Sequence, residues 1–277
     1  YNSPGDFVYE YRSTQNFTNF TYTNKTTSGH SIVVNAGLRY MANSYKYDLS
    51  LDLNTPSDDF TSLGQGAQYS YLRSTTGNYR EMKWISYFGD VNYGFRNKYF
   101  VNANLSYDGN SAVNENNRYN LYPSVGAAWR LSSENFLNTS SWLDDLKIRA
   151  SYSKTGNMHS TIYDYSKLYY TDRRINSTGV LTREVIPNEK MELEKRNTIN
   201  AGLDLSVFKQ KLNLHVDAFK SNVNTLIIEQ ELPPTFGYTS YYDNGGKLES
   251  TGMEFAFDSR INAGDFVWTY GASLSKE

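Results

Sequence analysis

Along most of this chain apolar and polar residues alternate with a period of two, the spacing at which successive side chains leave a β-strand on opposite faces. In 31–41, Ile32, Val34, Ala36, Leu38 and Tyr40 fall on one face and Val33, Asn35, Gly37, Arg39 and Met41 on the other. In 45–53, Tyr45, Tyr47, Leu49, Leu51 and Leu53 oppose Lys46, Asp48, Ser50 and Asp52. The pattern recurs where Tyr99, Val101, Ala103, Leu105 and Tyr107 oppose Phe100, Asn102, Asn104 and Ser106. It returns in Leu146, Ile148, Ala150 and Tyr152 against Lys147, Arg149, Ser151 and Ser153. Ile199, Ala201, Leu203, Leu205 and Val207 oppose Asn200, Gly202, Asp204 and Ser206, and Phe266, Trp268, Tyr270, Ala272 and Leu274 close the series.

About ten such runs are predicted, near 31–41, 45–54, 83–95, 98–108, 122–132, 145–155, 196–208, 211–228, 247–261 and 265–275, with an eleventh in 6–12. Most are about ten residues, the length a tilted strand needs to cross the hydrocarbon of a bilayer, whereas globular strands centre on about five or six. The links between runs alternate in length. Those near 42–44, 96–97, 209–210 and 262–264 are tight, and 133–144 fills a short slot at intermediate length. Those near 55–82, 109–121, 156–195 and 229–246 are long. Tight turns at one end and long loops at the other are the habit of an up-and-down barrel in an outer membrane. A soluble antiparallel sheet with one wet face gives the same alternation of side chains, but no reason for alternating links.

Composition agrees. Tyrosine (25) and phenylalanine (14) are abundant and proline (6) is scarce, which suits uninterrupted ladders. No run approaches the roughly 18 apolar residues of a spanning helix. A mean hydropathy of −0.64 therefore excludes a helical membrane bundle, but not a barrel with one lipid-facing side chain in two. Tyr45 and Tyr47, Tyr93 and Phe95, Tyr99 and Tyr107, and Phe266 to Tyr270 sit near ends of apolar faces, where barrels carry aromatic girdles. Cysteine is absent, excluding a disulfide-built secreted domain, and a net charge of −2 gives no footprint for nucleic acid. The chain opens mid-pattern at Tyr1 and stops at Glu277 directly after a strand-like run, with no signal or targeting motif, so both ends are expected to lie inside a longer polypeptide.

Several segments then read together. SYDGNS (106–111), NNRYNLYPSVGAAWRLSSE (116–134), LKIRASYSKTGN (146–157), NAGLDLSVF (200–208), LNLHVDAFKSNVNTLII (212–228) and NGGKLESTGMEF (244–255) resemble the SusC/RagA family of TonB-dependent outer-membrane transporters. The match runs over about 85–275. Within it Asp108–Gly109 reads as a tight-turn pair, and Tyr122, Pro123 and Ser124 as a strand opening. Trp129 reads as an interface anchor, Arg118, Arg130 and Arg149 as lumen or loop-base charges, and Tyr152 as part of an apolar row. Gly156–Asn157 and Gly245–Gly246 read as turn or bulge positions; Asn244 and Gly246 open the Asn-Xaa-Gly segment that leads to Gly252 and Glu254. The resemblance implies an all-β, antiparallel transmembrane barrel, of which 1–277 is one part: ten to eleven strands of roughly 22. It implies that the family's plug domain, Ton box and closing C-terminal strand lie outside this chain. It also implies a SusD-like surface lipoprotein partner, energy from TonB, and glycan or peptide cargo.

Candidate chemistry is thin. His30, His159 and His215 are far apart, so no metal site is expected, nor any cofactor. The carboxylate pairs Asp58–Asp59, Asp144–Asp145 and Glu192/Glu194 read as solvated loop acids sooner than as a glycosidase pair, and no catalytic residue is assigned. Asn16, Asn19, Asn24, Asn104, Asn138 and Asn176 head Asn-Xaa-Ser/Thr triplets that follow from composition. The loop aromatics Tyr163, Tyr165, Tyr169 and Tyr170, and Phe236, Tyr238, Tyr241 and Tyr242, are the candidates for touching ligand or partner, with simple loop packing as the competing reading. The rival functions are a soluble or surface-anchored β-rich carbohydrate-binding module, and a propeller or sandwich hydrolase, which the missing blade-like repeat disfavours.

Overall fold

The computed structural model describes residues 5–52, 73–137, 142–157, 170–175, 178–183, 186, 188–233, 235 and 240–277. It is all-β. The strands are β1 Gly5–Lys25, β2 His30–Asp52, β3 Arg73–Phe95, β4 Tyr99–Asn110, β5 Tyr119–Arg130 and β6 Leu143–Asn157. They continue with β7 Tyr170–Ile175, β8 Thr178–Arg183, β9 Glu194–Val207, β10 Leu212–Glu231, β11 Ser240–Ala263 and β12 Phe266–Lys276. Ten of them form one sheet in chain order, β1 to β6 and then β9 to β12, while β7 and β8 make a separate two-stranded ribbon. Each strand thus pairs with its successor, as an up-and-down barrel wall requires. Two compact units are distinguished along the chain: Tyr1–Phe17 with Arg39–Ile85, and Thr18–Leu38 with Ser86–Glu277.

One set of turns is tight because the backbone takes left-handed conformations. Arg96 (φ 50°) and Asn97 (φ 56°) join β3 to β4, Gly264 (φ 63°) turns β11 into β12, and Gly29 (φ 93°) sits between β1 and β2. Such turns match the twist of the strands they connect. At the β9–β10 turn, three non-glycine residues in a row, Phe208, Lys209 and Gln210, have φ near +60°. Their orphaned amides are held from the β6 side: Phe208 N–H donates to the Trp142 carbonyl (2.9 Å) and Gln210 N–H to Asp144 (2.8 Å).

The expected faces are realised as continuous rows. On the apolar face, Val101, Ala127, Ala150, Ala201, Ala218 and Met253 are successive cross-strand partners from β4 to β11. The row below it is Tyr99, Trp129, Ile148, Leu203, Val216, Phe255 and Leu274. The opposite face carries Asn102, Gly126, Ser151, Asn200, Phe219 and Gly252. The apolar row is not covered by a second layer: Val101, Val125, Ile199 and Leu274 are 45%, 49%, 62% and 72% exposed. Among the described residues, buried apolar side chains gather instead where the long links meet the strands, in Ala112, Val113, Met191 and Leu193, with Val207 at the β9–β10 turn.

Several expectations are corrected. The run 31–41 and the described part of 45–54 are one strand, β2, and the turn placed at 42–44 lies instead at Thr26–Gly29, where Thr26 N–H donates to His30 (2.8 Å). The apparent break arose because apolar residues change parity between Tyr40 and Tyr45. The eleventh run, 6–12, is the start of a 21-residue strand. Asp108 and Gly109 are not a turn: they pair with Asn120 and Tyr119 inside the β4–β5 ladder. Gly109 is there because the Tyr119 ring lies across it, and Gly156 likewise sits under the Tyr122 ring within β6. Pro123 does not open β5, which begins four residues earlier and pairs Pro123 with Leu105. Lacking an N–H, Pro123 precedes the β5–β6 ladder, which starts at Ser124. Gly246 does accompany a bulge, since the β10–β11 register shifts around Leu226.

Candidate functional site

The polar face of β6 to β11 concentrates its charges in the part of the strands nearer the tight turns. Arg149 on β6 grips Asp217 on β10 with both terminal nitrogens (Nη1 at 2.7 Å), and its Nε lies 3.4 Å from Asp204 on β9. Asp204 also takes Lys147 Nζ at 2.9 Å and His215 Nδ1 at 3.0 Å. The register explains the convergence: Arg149 is opposite Gly202, and Gly202 opposite Asp217, so the guanidinium crosses a residue with no side chain to meet its partner. Nearby a cavity of about 770 Å³ is lined by Ser31, Asn92, Asn102, Asn200, Lys25 and Arg149 among others. Amides, hydroxyls and fixed charges of this kind bind and orient polar solutes. Among the described residues no three histidine, cysteine or carboxylate side chains are grouped to hold a metal ion.

At the long-loop end a second arrangement pins the segment Asn188–Glu194 between its neighbours. Asn117 donates to the Lys190 and Met191 carbonyls (both 3.1 Å). Asn244 accepts from the Glu192 N–H (2.7 Å) and donates to the carbonyls of Glu192 (3.0 Å) and Thr225 (2.9 Å). Glu194, itself buried, receives Asn157 (2.8 Å) and the Ile227 N–H (3.0 Å). Chain that leaves the strands has few ladder bonds of its own, so these side chains supply them. The Asn-Xaa-Gly segment is therefore a fastening for the loop bases.

At the tight-turn end Tyr99 stacks on Trp129 (6.2 Å, 21°), and both donate to Glu134, from 2.7 and 3.1 Å, while Lys98 pairs with it at 3.1 Å. The Tyr99 hydroxyl, then the Trp129 indole and Lys98, hold the Glu134 carboxyl below its ordinary value of 4.5. Because the folded state prefers the ionised form, the stabilisation is whole above the ordinary carboxylate range and is lost as pH falls through the depressed value. The advantage of the native protein over Glu134→Gln in urea unfolding is expected to be constant near neutrality and to vanish at acid pH. An advantage that grew on acidification would contradict this.

The remaining sequence candidates are distributed as follows. Arg118 lies at a loop base, 3.8 Å from Glu115, and Arg130 pairs with Asp145 at 3.2 Å on the polar face. Tyr152 is on the apolar face with its hydroxyl on Asn197 (3.2 Å). Ser124 is opposite Asn104 and Ser153, Gly252 is closed over by the Phe219 ring, and Glu254 is opposite Asp217. Tyr241 and Tyr242 belong to β11, not to a loop, and their hydroxyls reach Gln230 (3.0 Å) and Glu229 (3.4 Å) on β10. Tyr170 opens β7 opposite Arg183. Tyr163, Tyr165, Tyr169, Phe236 and Tyr238 lie outside the described residues, as do Asp58, Asp59, Asn138, His159 and Asn176. The structure adds Lys147 and Asp204, which the sequence marked only as polar members of an alternating pattern, and Asp217, Asn117 and Asn188, which it did not single out.

Residues 1–276 match the family model described as TonB dependent receptor-like, beta-barrel. The TonB-dependent receptor P3 of Formosa agariphila is 31% identical over 287 residues, 98% of this chain and 28% of that protein. The TonB-dependent receptor SusC of Bacteroides thetaiotaomicron is 30% identical over 213 residues, 74% of this chain and 21% of that protein. Among solved structures, the RagAB peptide importer in its closed-closed state superposes with a TM-score of 0.86 at 22% identity, over 98% of this chain and 30% of that one. The outer membrane transporter YddB of Escherichia coli superposes at 0.62 and 11% identity, over 97% of this chain and 34% of that one. The chain thus spans less than a third of the length of the curated relatives it matches. The soluble-module and hydrolase readings give way to a bilayer-spanning wall, and the chain belongs to the TonB-dependent receptor-like β-barrel family of the outer membrane.

Proposed function

We propose that the protein to which this wall belongs is an active importer, energised through TonB, that admits glycans or peptides too large for diffusion and works with a SusD-like surface lipoprotein. The observation that carries the reading is the division of faces: unbroken apolar rows from β4 to β12 on one side, amides and ion pairs on the other. Such a wall holds a polar passage inside a bilayer. Its residues bind and orient; none performs covalent chemistry, and the protein is no enzyme in this reading. The relative named SusC supports the receptor family, and the RagAB peptide importer, similar in fold, is named for a peptide cargo.

The test is uptake. A strain lacking the full-length gene should lose accumulation of one labelled oligosaccharide or peptide class, regain it on complementation, and lose it again when the proton gradient is collapsed. Undiminished accumulation of every class in the deletion strain would refute the reading.

A further inference from the structure

β2 changes character at Tyr40. Up to there its even positions are apolar (Ile32, Val34, Ala36, Leu38); beyond it they read Ala42, Ser44, Lys46 and Asp48. A face that turns from greasy to charged has left the hydrocarbon. In the unit of Tyr1–Phe17 and Arg39–Ile85 the two faces then differ sharply. One carries ion pairs between neighbours on the same strand: Glu10 with Arg12, Lys46 with Asp48 (2.9 Å) and Glu81 with Lys83 (3.1 Å). Such pairs are the mark of a solvated surface.

The other face is aromatic. Tyr9 meets Tyr45 edge-on at 5.1 Å, Tyr45 meets Tyr47 at 5.9 Å, and Phe7 lies 6.4 Å from Tyr47. Phe7 and Tyr9 remain 61% and 55% exposed. Further along this face come neutral hydrogen-bonding groups and one cation: Ser13 donates to Asn43 (2.9 Å), Gln15 approaches Met41, and Arg39 lies over the Phe17 ring at 5.5 Å. The positions that share this face in β1 and β2 hold no carboxylate.

We propose that this ring cluster is a carbohydrate-binding surface: sugar C–H faces stack on Tyr9, Tyr45 and Tyr47, and Asn43, Ser13 and Arg39 take hydroxyl or acidic substituents. Rings set edge-to-face leave ring faces open to a ligand, and side-chain amides and hydroxyls are the partners a polyol needs. A lipid occupant fits poorly, because Tyr45 and Tyr47 fall on the odd positions of β2, the parity of its polar residues Asn35 and Arg39, while the even, apolar parity of Ile32 to Leu38 runs on into the charged Lys46 and Asp48. A peptide adding to a sheet uses a strand edge, whereas these rings stand on a face. The inference rests on the importer reading and narrows its cargo to the glycan class.

The experiment uses the full-length receptor, purified in detergent and titrated with maltohexaose, laminarihexaose, xylohexaose and hexagalacturonate. At least one is expected to bind, the Tyr9→Ala/Tyr45→Ala double variant to bind it tenfold or more weakly, and Lys46→Ala, on the charged face, to stay within twofold. Unchanged heat-modifiable gel mobility establishes that the variants fold, and Tyr9→Phe/Tyr45→Phe, which keeps the rings, should retain most of the affinity. Binding indifferent to the double substitution overturns the proposal. So does a receptor that still imports peptides but binds none of the four sugars, or a double variant that loses a co-purified lipoprotein while sugar affinity is intact. Loss of all uptake activity in the native receptor would instead strike the importer reading.

Discussion

Arginine at Val125 should lower the stability of the barrel by about 2–4 kcal/mol, whereas arginine at the adjacent Ser124 should cost less than about 1 kcal/mol. The contrast follows from depth and face together. Two stacked aromatic pairs mark levels on the apolar face, Tyr99–Trp129 (6.2 Å) near the tight turns and Tyr107–Tyr119 (5.4 Å) near the long loops. Eight residues of β4 separate Tyr99 from Tyr107, about 27 Å along a strand, and a tilt of about 40° leaves roughly 21 Å across the membrane. That is close to the height of a barrel's apolar band, about 25 Å. Ala103 lies midway, and its partner is Val125. A guanidinium at Val125 therefore meets hydrocarbon at its deepest, too far from either interface to snorkel fully. Ser124, between Asn104 and Ser153, faces the polar side. Urea unfolding of the full-length receptor refolded into phospholipid measures both. Equal effects at the two positions would mean that the row containing Val125 does not touch lipid.

Period-two alternation was enough to read the class, the faces and most strands, because lipid imposes one rule on every second residue between the two aromatic levels. Where the strands leave that slab the rule lapses, and the reading failed there. Between Tyr40 and Tyr45 the apolar residues change parity, and a strand that simply continues was divided by a turn. The glycines failed for a different reason. Nothing beside Gly109 or Gly156 in the chain says that Tyr119 or Tyr122, from the neighbouring strand, fills the space above it. The loop fastening was equally hidden, since Asn117 and Asn244 lie 74 and 52 residues from the backbone groups they hold at Met191 and Glu192. Polar residues that alternate with apolar ones are easily marked as facing the interior. Which of them join, as Arg149 and Asp217 do, depends on register across three strands.

Arg149 is the polar-face residue whose loss should be felt most. The ladder sets Asp217 directly opposite Glu254, a like-charged cross-strand pair that is destabilising unless a cation intervenes. Arg149 neutralises the Asp217 member of that pair, taking it with two nitrogens and Asp204 with a third. The Asp204 and Asp217 side chains are 19% and 17% exposed and Arg149 34%, so the network is partly shielded from water. Breaking a buried pair costs about 3–5 kcal/mol; with this much exposure, about 2 kcal/mol is expected for Arg149→Met. Arg149→Lys should recover only part of it, because an ammonium cannot span both carboxylates in a fixed plane. In a double-mutant cycle with Asp217→Asn the two losses should fall short of adding by about 1 kcal/mol or more, since each removes the same contact. Full additivity would mean that the pair carries no coupling. An Arg149→Met receptor that unfolds like the native protein but imports more slowly would assign the guanidinium to the passage, and the opposing carboxylates would then be neutralised by something other than this side chain.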